Sequence, residues 1–188
     1  MKEKDNEKSN GWKKIRHNII EDLTYAIAVL VGALLLFNFV LMNAYVPSES
    51  MEDTFQINDR IIGNRLAYKF GHDPERFDIV IFKAPEGEEE YAGSYFVKRV
   101  IGLPGEKVTI KDSQVYINDS KTPLDSSFTK EAMLTEDKEF QIPAGCYFML
   151  GDNRNESFDS RYWSNPYIPK DDIIAKVVLK YWKGFQLM

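Results

Sequence analysis

A long stretch without charged side chains, close to the N-terminus, constrains this chain more than any other feature. From Leu23 to Val46 the sequence reads LTYAIAVLVGALLLFNFVLMNAYV. About 20 apolar residues are enough for an α-helix to cross the hydrocarbon core of a bilayer. The stretch therefore predicts a retained transmembrane anchor over 23–46. The alternatives are a cleaved signal peptide, whose apolar core is usually shorter, and a buried helix of a soluble protein.

Positive charge in front of this stretch predicts its orientation. Lys13, Lys14 and Arg16 precede it, and positively charged residues tend to stay on the cytoplasmic side of a membrane. The sequence therefore predicts a single-pass protein of the cell membrane. Residues 1–22 would form a cytoplasmic tail, and residues 47–188 would lie outside the cytoplasm.

The part after the anchor has the size of one ordinary domain and consists of short β-rich runs rather than long helical stripes. The runs predicted as strands are 60–66, 77–83, 95–103, 107–110, 114–117, 146–150 and 173–182. The turn-like residues 111–113 join two alternating runs, which predicts a hairpin. Residues 118–139 are polar and are expected to form a surface excursion with one helical turn near 130–134. We therefore expect a mainly β fold, an antiparallel β-sheet domain with one N-terminal transmembrane helix.

Composition argues against several kinds of chemistry. The formal net charge of −5 argues against a nucleic-acid binder, which normally has a basic face. A single cysteine, Cys146, excludes an internal disulfide and a cysteine-rich zinc site. His17 precedes the anchor and His72 lies in a turn-like sequence, so neither is a strong candidate for a catalytic base. Acidic residues lack ligand spacing and there is no glycine-rich phosphate loop, so we expect no metal and no organic cofactor.

A serine with a lysine base is the remaining option. Such a lysine must be neutral, so it needs apolar neighbours that lower its pKa. Lys98 lies in the most apolar predicted strand, and alternation places it on the face of Phe96 and Val100. The same pattern also fits an edge-strand lysine whose ammonium group reaches water. The candidate nucleophiles lie in PSESM, at 47–51, which is equally typical of a linker, so composition alone does not decide.

Four segments together resemble the bacterial type I signal peptidases, membrane-anchored serine proteases with a Ser/Lys dyad. The family's nucleophile motif is similar to PSESMEDTF, at 47–55, and its intervening strand motif is similar to RFDIVIFKAP, at 76–85. Its lysine motif resembles YFVKRVIGLPGE, at 95–106, and its most recognisable signature resembles GDNRNESFDSRYW, at 151–163. The segments occur in family order. One anchor and a reduced insertion around 105–150 are similar to the single-span members typical of Gram-positive bacteria.

The resemblance implies a role for each matching residue. Ser50 would be the nucleophile, and Lys98 the general base that removes its proton and later protonates the leaving amine. The hydroxyl of Ser48 and the backbone N–H of Ser50 would form the oxyanion hole, and Ser157 would hydrogen-bond Lys98 and orient it. Structural support would come from two ion pairs, Asp152 with Arg99 and Asp159 with Arg161. The expected lining of the substrate pockets is Val46, Pro47, Met51 and Val97.

The substrates of the signal peptidases that this chain resembles are the signal peptides of exported preproteins. They carry small residues one and three positions before the cleaved bond, because shallow apolar pockets exclude larger side chains. The peptide is expected to bind extended along a strand edge. The implied partners are these signal peptides, the lipid bilayer and a secretion translocon. The chain departs from the family pattern at Asp53, where proline is usual, and at Ser164, where glycine is usual.

Two other functions remain open at this point. One is a processing peptidase dedicated to one class of substrate, such as a pilin or a conjugation protein. It would cleave only a narrow set of preproteins. The other is a catalytically silent assembly protein on the same scaffold, which would be expected to lack the serine or the lysine, whereas both are present.

Overall fold

The chain begins with one long helix. In the computed structural model, which describes residues 2–52, 54–182 and 184–188, helix α1 is Lys2–Val40. Its segment Arg16–Val40 is long and apolar enough to cross a membrane, by length and composition. The apolar stretch predicted as an anchor over 23–46 is therefore helical only as far as Val40. It stops there because its next residues form a strand that pairs with a second strand.

The rest of the chain, from Leu41 onward, is a separate unit built from short strands. The strands, in chain order, are β1 (Leu41–Tyr45), β2 (Arg60–Asn64), β3 (Ile79–Lys83), β4 (Tyr95–Gly102), β5 (Lys107–Lys111), β6 (Gln114–Ile117), β7 (Lys138–Gln141), β8 (Cys146–Leu150), β9 (Ile168–Pro169), β10 (Ile173–Lys180) and β11 (Gln186–Leu187). Single-turn 3₁₀ helices lie at Glu49–Met51, Glu89–Tyr91 and Lys170–Asp172.

The described strands form two antiparallel sheets. The large sheet has the order β1-β2-β10-β3-β4-β8-β9, with β11 paired to β10, and the small sheet has the order β6-β5-β7. Each described pairing between strands is antiparallel. The predicted mainly β fold is thus confirmed, as are the predicted strands that became β2, β3, β4, β5, β6, β8 and β10. The predicted hairpin is the β5–β6 pair.

The predicted helical turn near 130–134 is wrong. These residues have no helical structure, and β7 follows them inside the segment that was expected to be a surface excursion. Met133 is only 1% exposed and is buried in the core of the small sheet. The side chain of Asn155 accepts a hydrogen bond from the N–H of Leu134 and donates one to the carbonyl of Ala132. These contacts occupy backbone groups that a helical turn would use.

The central strand β3 is buried on both faces of the large sheet. Its residues Ile79 and Ile81 belong to one apolar cluster, and Val80 and Phe82 belong to another. Strands covered on both faces have continuous apolar sequences instead of alternating ones, which explains the run IVIF in this segment. A side chain on the neighbouring strand β4 therefore meets apolar atoms whichever face it occupies.

Candidate active site

Lys98 is buried in the middle of the large sheet. It lies opposite Val80 in the β3–β4 pairing, and it shares the face of Phe96 and Val100, as alternation predicted. The residue is only 4% exposed, and its Nζ atom lies 5.7 Å from the centre of the Phe96 ring. Lys98 is therefore not an edge-strand lysine whose ammonium group reaches water.

Burial changes the proton affinity of this lysine. Loss of water lowers the pKa of Lys98 from its usual 10.5 to about 8, and the carboxylates of Asp159 and Asp152 partly oppose the decrease. With a pKa of about 8, roughly one molecule in ten carries a neutral amine at pH 7, against about one in three thousand at the usual value. The site therefore contains an amine that can accept a proton near neutral pH.

Ser50 lies beside this amine, although the two residues are distant in sequence. It occupies the 3₁₀ helix Glu49–Met51 and is 6% exposed. The Nζ atom of Lys98 donates to Ser50 Oγ at 2.5 Å, and the hydroxyl of Ser48 lies 3.3 Å from the same oxygen. The turn is held because Met51 and Phe55 are buried in the apolar cluster beneath it. The structure thus brings together the expected nucleophile, base and oxyanion-hole hydroxyl.

The segment after β8 takes part in both of the expected ion pairs, one of them with Arg99 of β4. Arg99 donates to Asp152 through Nε at 2.8 Å and through Nη2 at 2.6 Å. Arg161 donates to the two carboxylate oxygens of Asp159, at 2.8 Å each, with both side chains fully buried. Asp159 also accepts the N–H of Gly151 at 3.0 Å. Two-pronged arginine–carboxylate pairs fix orientation as well as charge, so they hold this segment against the site.

Ser157 does not make the hydrogen bond that was predicted for it. Its Oγ atom is buried and has no hydrogen-bond partner in the described part of the chain, while Lys98 donates to Ser50. Ser157 nevertheless lies at the site. A Cβ atom added at Gly151 would overlap both Ser157 Oγ and the carbonyl oxygen of Ser50. Only glycine permits these two groups to approach position 151 so closely. The sequence patterns did not predict this requirement for Gly151.

The expected pocket residues divide into two groups. Val46, Met51 and Val97 pack in one apolar cluster, whereas Pro47 is exposed. Val46 and Met51 are only 2% and 1% exposed, so they are core residues that offer very little surface for contact.

Two further positions and one missed residue complete the site. Asp53 lies outside the described residues, and the N–H of Ser164 donates to the carboxylate of Glu88 at 2.7 Å. The missed residue is Thr54, whose hydroxyl donates to Asp152 at 2.5 Å and accepts a hydrogen bond from Arg99 at 3.3 Å. Its place in the segment at 47–55 was the signal that could have identified it.

The side chains that meet at the site suit acyl transfer. Within the described residues, no cluster of three or more His, Cys, Asp or Glu side chains is arranged to hold a metal ion. A serine hydroxyl that contacts a lowered-pKa lysine is an arrangement for nucleophilic attack.

Comparison with known proteins decides the family. The family model described as "Signal peptidase, peptidase S26" matches residues 18–182. The chain belongs to this family of signal peptidases. It is 32% identical over 182 residues to "Probable signal peptidase I-2" of Synechocystis sp., covering 96% of this chain and 78% of that protein. It is 38% identical over 156 residues to "Signal peptidase I" of Leptolyngbya laminosa, covering 81% and 74%.

A solved structure is also similar to this signal peptidase. The crystal structure of a signal peptidase I from Enterococcus faecalis is 32% identical, with a TM-score of 0.45, and covers 55% of this chain and 96% of that one. The family match and the similar signal peptidases of Synechocystis and Leptolyngbya show that the chain is an enzyme, a hydrolase of the signal peptidase I type. The silent assembly protein is therefore the weaker of the two alternatives.

Proposed function

We propose that this chain is a membrane-bound serine endopeptidase that removes signal peptides from exported preproteins after a small-x-small motif. Ser50 is the nucleophile and Lys98 is the general base. The observation that carries the proposal is the 2.5 Å contact between Lys98 Nζ and Ser50 Oγ at a buried position. Burial lowers the pKa of Lys98 to about 8, which makes proton transfer from a hydroxyl accessible near neutral pH.

In the proposed reaction Lys98 takes the proton of Ser50 as Oγ attacks the carbonyl carbon of the scissile bond. The negative charge that develops on the carbonyl oxygen is stabilised by the hydroxyl of Ser48 and the backbone N–H of Ser50. The ammonium group of Lys98 then protonates the leaving amine, and an ester forms on Ser50. Water, deprotonated by the same lysine, hydrolyses the ester and restores the hydroxyl.

We propose a positioning role for Ser157 in this cycle. Its hydroxyl is buried beside the turn of Ser50 and has no hydrogen-bond partner among the described residues. Once Lys98 loses its contact with Ser50 during acylation, its amine needs another hydrogen-bond partner. Ser157 supplies one, while Asp152 with Arg99 and Asp159 with Arg161 maintain the shape of the site.

The proposed substrate binds as an additional strand. Strand β8 pairs with β4 only from Arg99 onward, so on that side residues 95–98 have no partner among the described strands. The outer edge of β1 is also unpaired in the described sheet. An extended peptide can hydrogen-bond to such edges. The shallow surface over Val46, Met51 and Val97 then accepts only small side chains, with the exposed Pro47 at its margin.

The proposed location is the membrane, with the N-terminus in the cytoplasm and the β unit outside it. Support comes from the apolar segment Arg16–Val40 and from the positive residues that precede its apolar part. Ser50 follows this helix by only about ten residues, so the chain tethers the nucleophile near its substrates, which raises their effective concentration. We expect preproteins to arrive from a secretion translocon.

The test uses the full chain in detergent and a preprotein with a small-x-small site, with products identified by mass spectrometry. Cleavage after the motif is expected for the wild type and is expected to disappear in Ser50→Ala and Lys98→Ala. The exposed residues Ser120 and Lys111 provide matched controls, and Ser120→Ala and Lys111→Ala should retain activity. Activity that persists in Lys98→Ala would refute the lysine base. A varied panel in which only one substrate class is cleaved would identify a dedicated processing peptidase.

A further inference from the structure

A polar groove begins beside the nucleophile's turn. One cavity of about 220 Å³ is lined by Glu52, Lys130, Glu131, Asp152, Asn153 and Arg154. A second cavity, of about 310 Å³, shares three of these residues and extends toward the β5–β6 hairpin. We call the two cavities together the polar groove. Because Lys130, Glu131 and Arg154 line both, they are parts of one continuous depression.

The polar groove lies beside the backbone of the turn that carries Ser50. Glu52 follows the 3₁₀ helix that carries Ser50. The N–H of Asn153 donates to the carbonyl oxygen of Ser50 at 3.2 Å, and Asp152 is paired with Arg99. A polypeptide whose scissile bond lies at Ser50 Oγ can therefore continue from the nucleophile into this groove.

Arg154 is the unusual residue of the groove. It is only 6% exposed, and its Nε atom donates to the carbonyl of Gly151 at 3.1 Å. In the described part of the chain no carboxylate forms an ion pair with it, and its terminal nitrogens make no hydrogen bond. The ring of Phe128 lies between it and Arg99, at 5.7 and 4.3 Å from the two guanidinium carbons. Buried charges are normally paired, so these nitrogens have donors available for a ligand.

Charge supports the same interpretation. Burial and the neighbouring guanidinium of Arg161 lower the pKa of Arg154 to about 10. The group therefore still carries its positive charge at neutral pH. It is a fixed donor of hydrogen bonds at the inner wall of the groove, and it needs an oxygen acceptor.

We propose that the polar groove binds the residues that follow the cleaved bond, the first residues of the mature protein. Arg154 donates from its terminal nitrogens to a main-chain carbonyl or a carboxylate of that segment. This assignment rests on the proposed function. The residues before the bond are small and fit the apolar surface of Val46, Met51 and Val97, whereas a mature N-terminus is polar and variable. A polar wall suits a mature N-terminus, because the terminal nitrogens of Arg154 have no hydrogen-bond partner among the described residues and can donate to it.

The experiment compares two peptide substrates that share the residues before the cleaved bond. The long peptide has five residues after the bond, and the short one has a single amidated residue. The wild type should have a lower KM for the long peptide. Arg154→Gln should raise the KM for the long peptide about tenfold, as expected for a lost hydrogen bond to a charged group. It should leave kcat for both peptides and the KM for the short peptide unchanged.

Controls separate binding from folding. Arg65 is exposed, so Arg65→Gln should behave as the wild type with both peptides. Arg154→Lys keeps a charged donor and should retain part of the difference between the peptides. If Arg154→Gln raised the KM for both peptides equally, or changed the KM for neither, the assignment would be overturned. Failure of the wild type to cleave either peptide would instead refute the proposed function, so the two failures are distinguishable.

Discussion

Replacing the buried lysine by an apolar residue of similar length should stabilise the protein while it abolishes activity. Lys98 is only 4% exposed and lies opposite Val80 on an interior strand. Its charged form is therefore disfavoured in the folded state. Methionine fills a similar volume without a charge and adapts well to apolar surroundings. We expect Lys98→Met to fold, to lose peptidase activity and to resist urea better than the wild type at pH 7.

The magnitude follows from the change in proton affinity. The pKa of Lys98 is lowered from 10.5 to about 8 on folding, and each pKa unit corresponds to about 1.4 kcal/mol. The buried charge therefore lowers the free energy of unfolding of the wild type by about 3 kcal/mol at pH 7. The variant also loses the hydrogen bond from Nζ to Ser50 Oγ, which lowers its free energy of unfolding by about 1 kcal/mol. The variant should therefore be more stable than the wild type by about 2 kcal/mol at pH 7.

The pH dependence of this difference tests its cause. Because the folded-state pKa lies below the unfolded value, the unfolded wild type binds more protons between pH 8 and 10.5. The wild type therefore gains stability as the pH rises through that window. The advantage of Lys98→Met should be largest below pH 8 and should fall to zero near pH 10, where the hydrogen bond to Ser50, worth about 1 kcal/mol, balances the remaining cost of the buried charge. Other titrating groups contribute equally to both proteins and cancel.

The assay is urea unfolding in detergent, followed by circular dichroism, at pH 7 and at pH 10. Lys111 is exposed at the end of β5, so Lys111→Met is the matched control and should change the free energy of unfolding by less than about 0.5 kcal/mol. A variant Lys98→Met that is less stable than the wild type at pH 7 would refute the reasoning. A stability difference that does not depend on pH would show that packing, and not the buried charge, is its source.

Three further predictions concern activity. Since only neutral Lys98 accepts the proton, kcat/KM should rise about tenfold per pH unit between pH 6 and pH 8 and level off above; a flat profile down to pH 5 would contradict a lysine base. Gly151→Ala should inactivate the enzyme and lower the free energy of unfolding by about 2 kcal/mol, because the new Cβ overlaps the carbonyl of Ser50; wild-type activity and stability would exclude that overlap. Thr54→Val should reduce kcat about tenfold without changing KM, because Asp152 loses a hydrogen bond. Thr54→Ser should restore kcat, and an equal loss in the serine variant would contradict this role.

The sequence predicted the central strands well because their information is local. The runs that became β3, β4 and β8 are apolar and bounded by residues that end strands, and these patterns do not depend on the rest of the chain. Alternation correctly placed Lys98 on the face of Phe96 and Val100. The resemblance of four motifs then named the residues of the site, and the family assignment agrees with it.

Other features could not be read from local patterns. Residues 41–45 continue the apolar composition of the helix, and they are a strand only because β2 offers them an edge. Residues 130–134 form no helical turn, because Met133 is buried and Asn155 binds the backbone beside it. The buried hydroxyl of Ser157 has no hydrogen-bond partner among the described residues, a property that depends on how distant segments pack.

The sequence by itself determined where the central strands form, which face carries Lys98 and which residues belong to the family's motifs. Only the tertiary structure decided the 2.5 Å contact of Lys98 with Ser50, the close approach at Gly151 and the hydrogen bond from Arg154 Nε to the carbonyl of Gly151. The physical reason is the range of the forces involved. Periodicity and strand-ending residues act within a few positions, whereas the partner of a buried polar group is chosen by segments that packing brings together from distant parts of the chain.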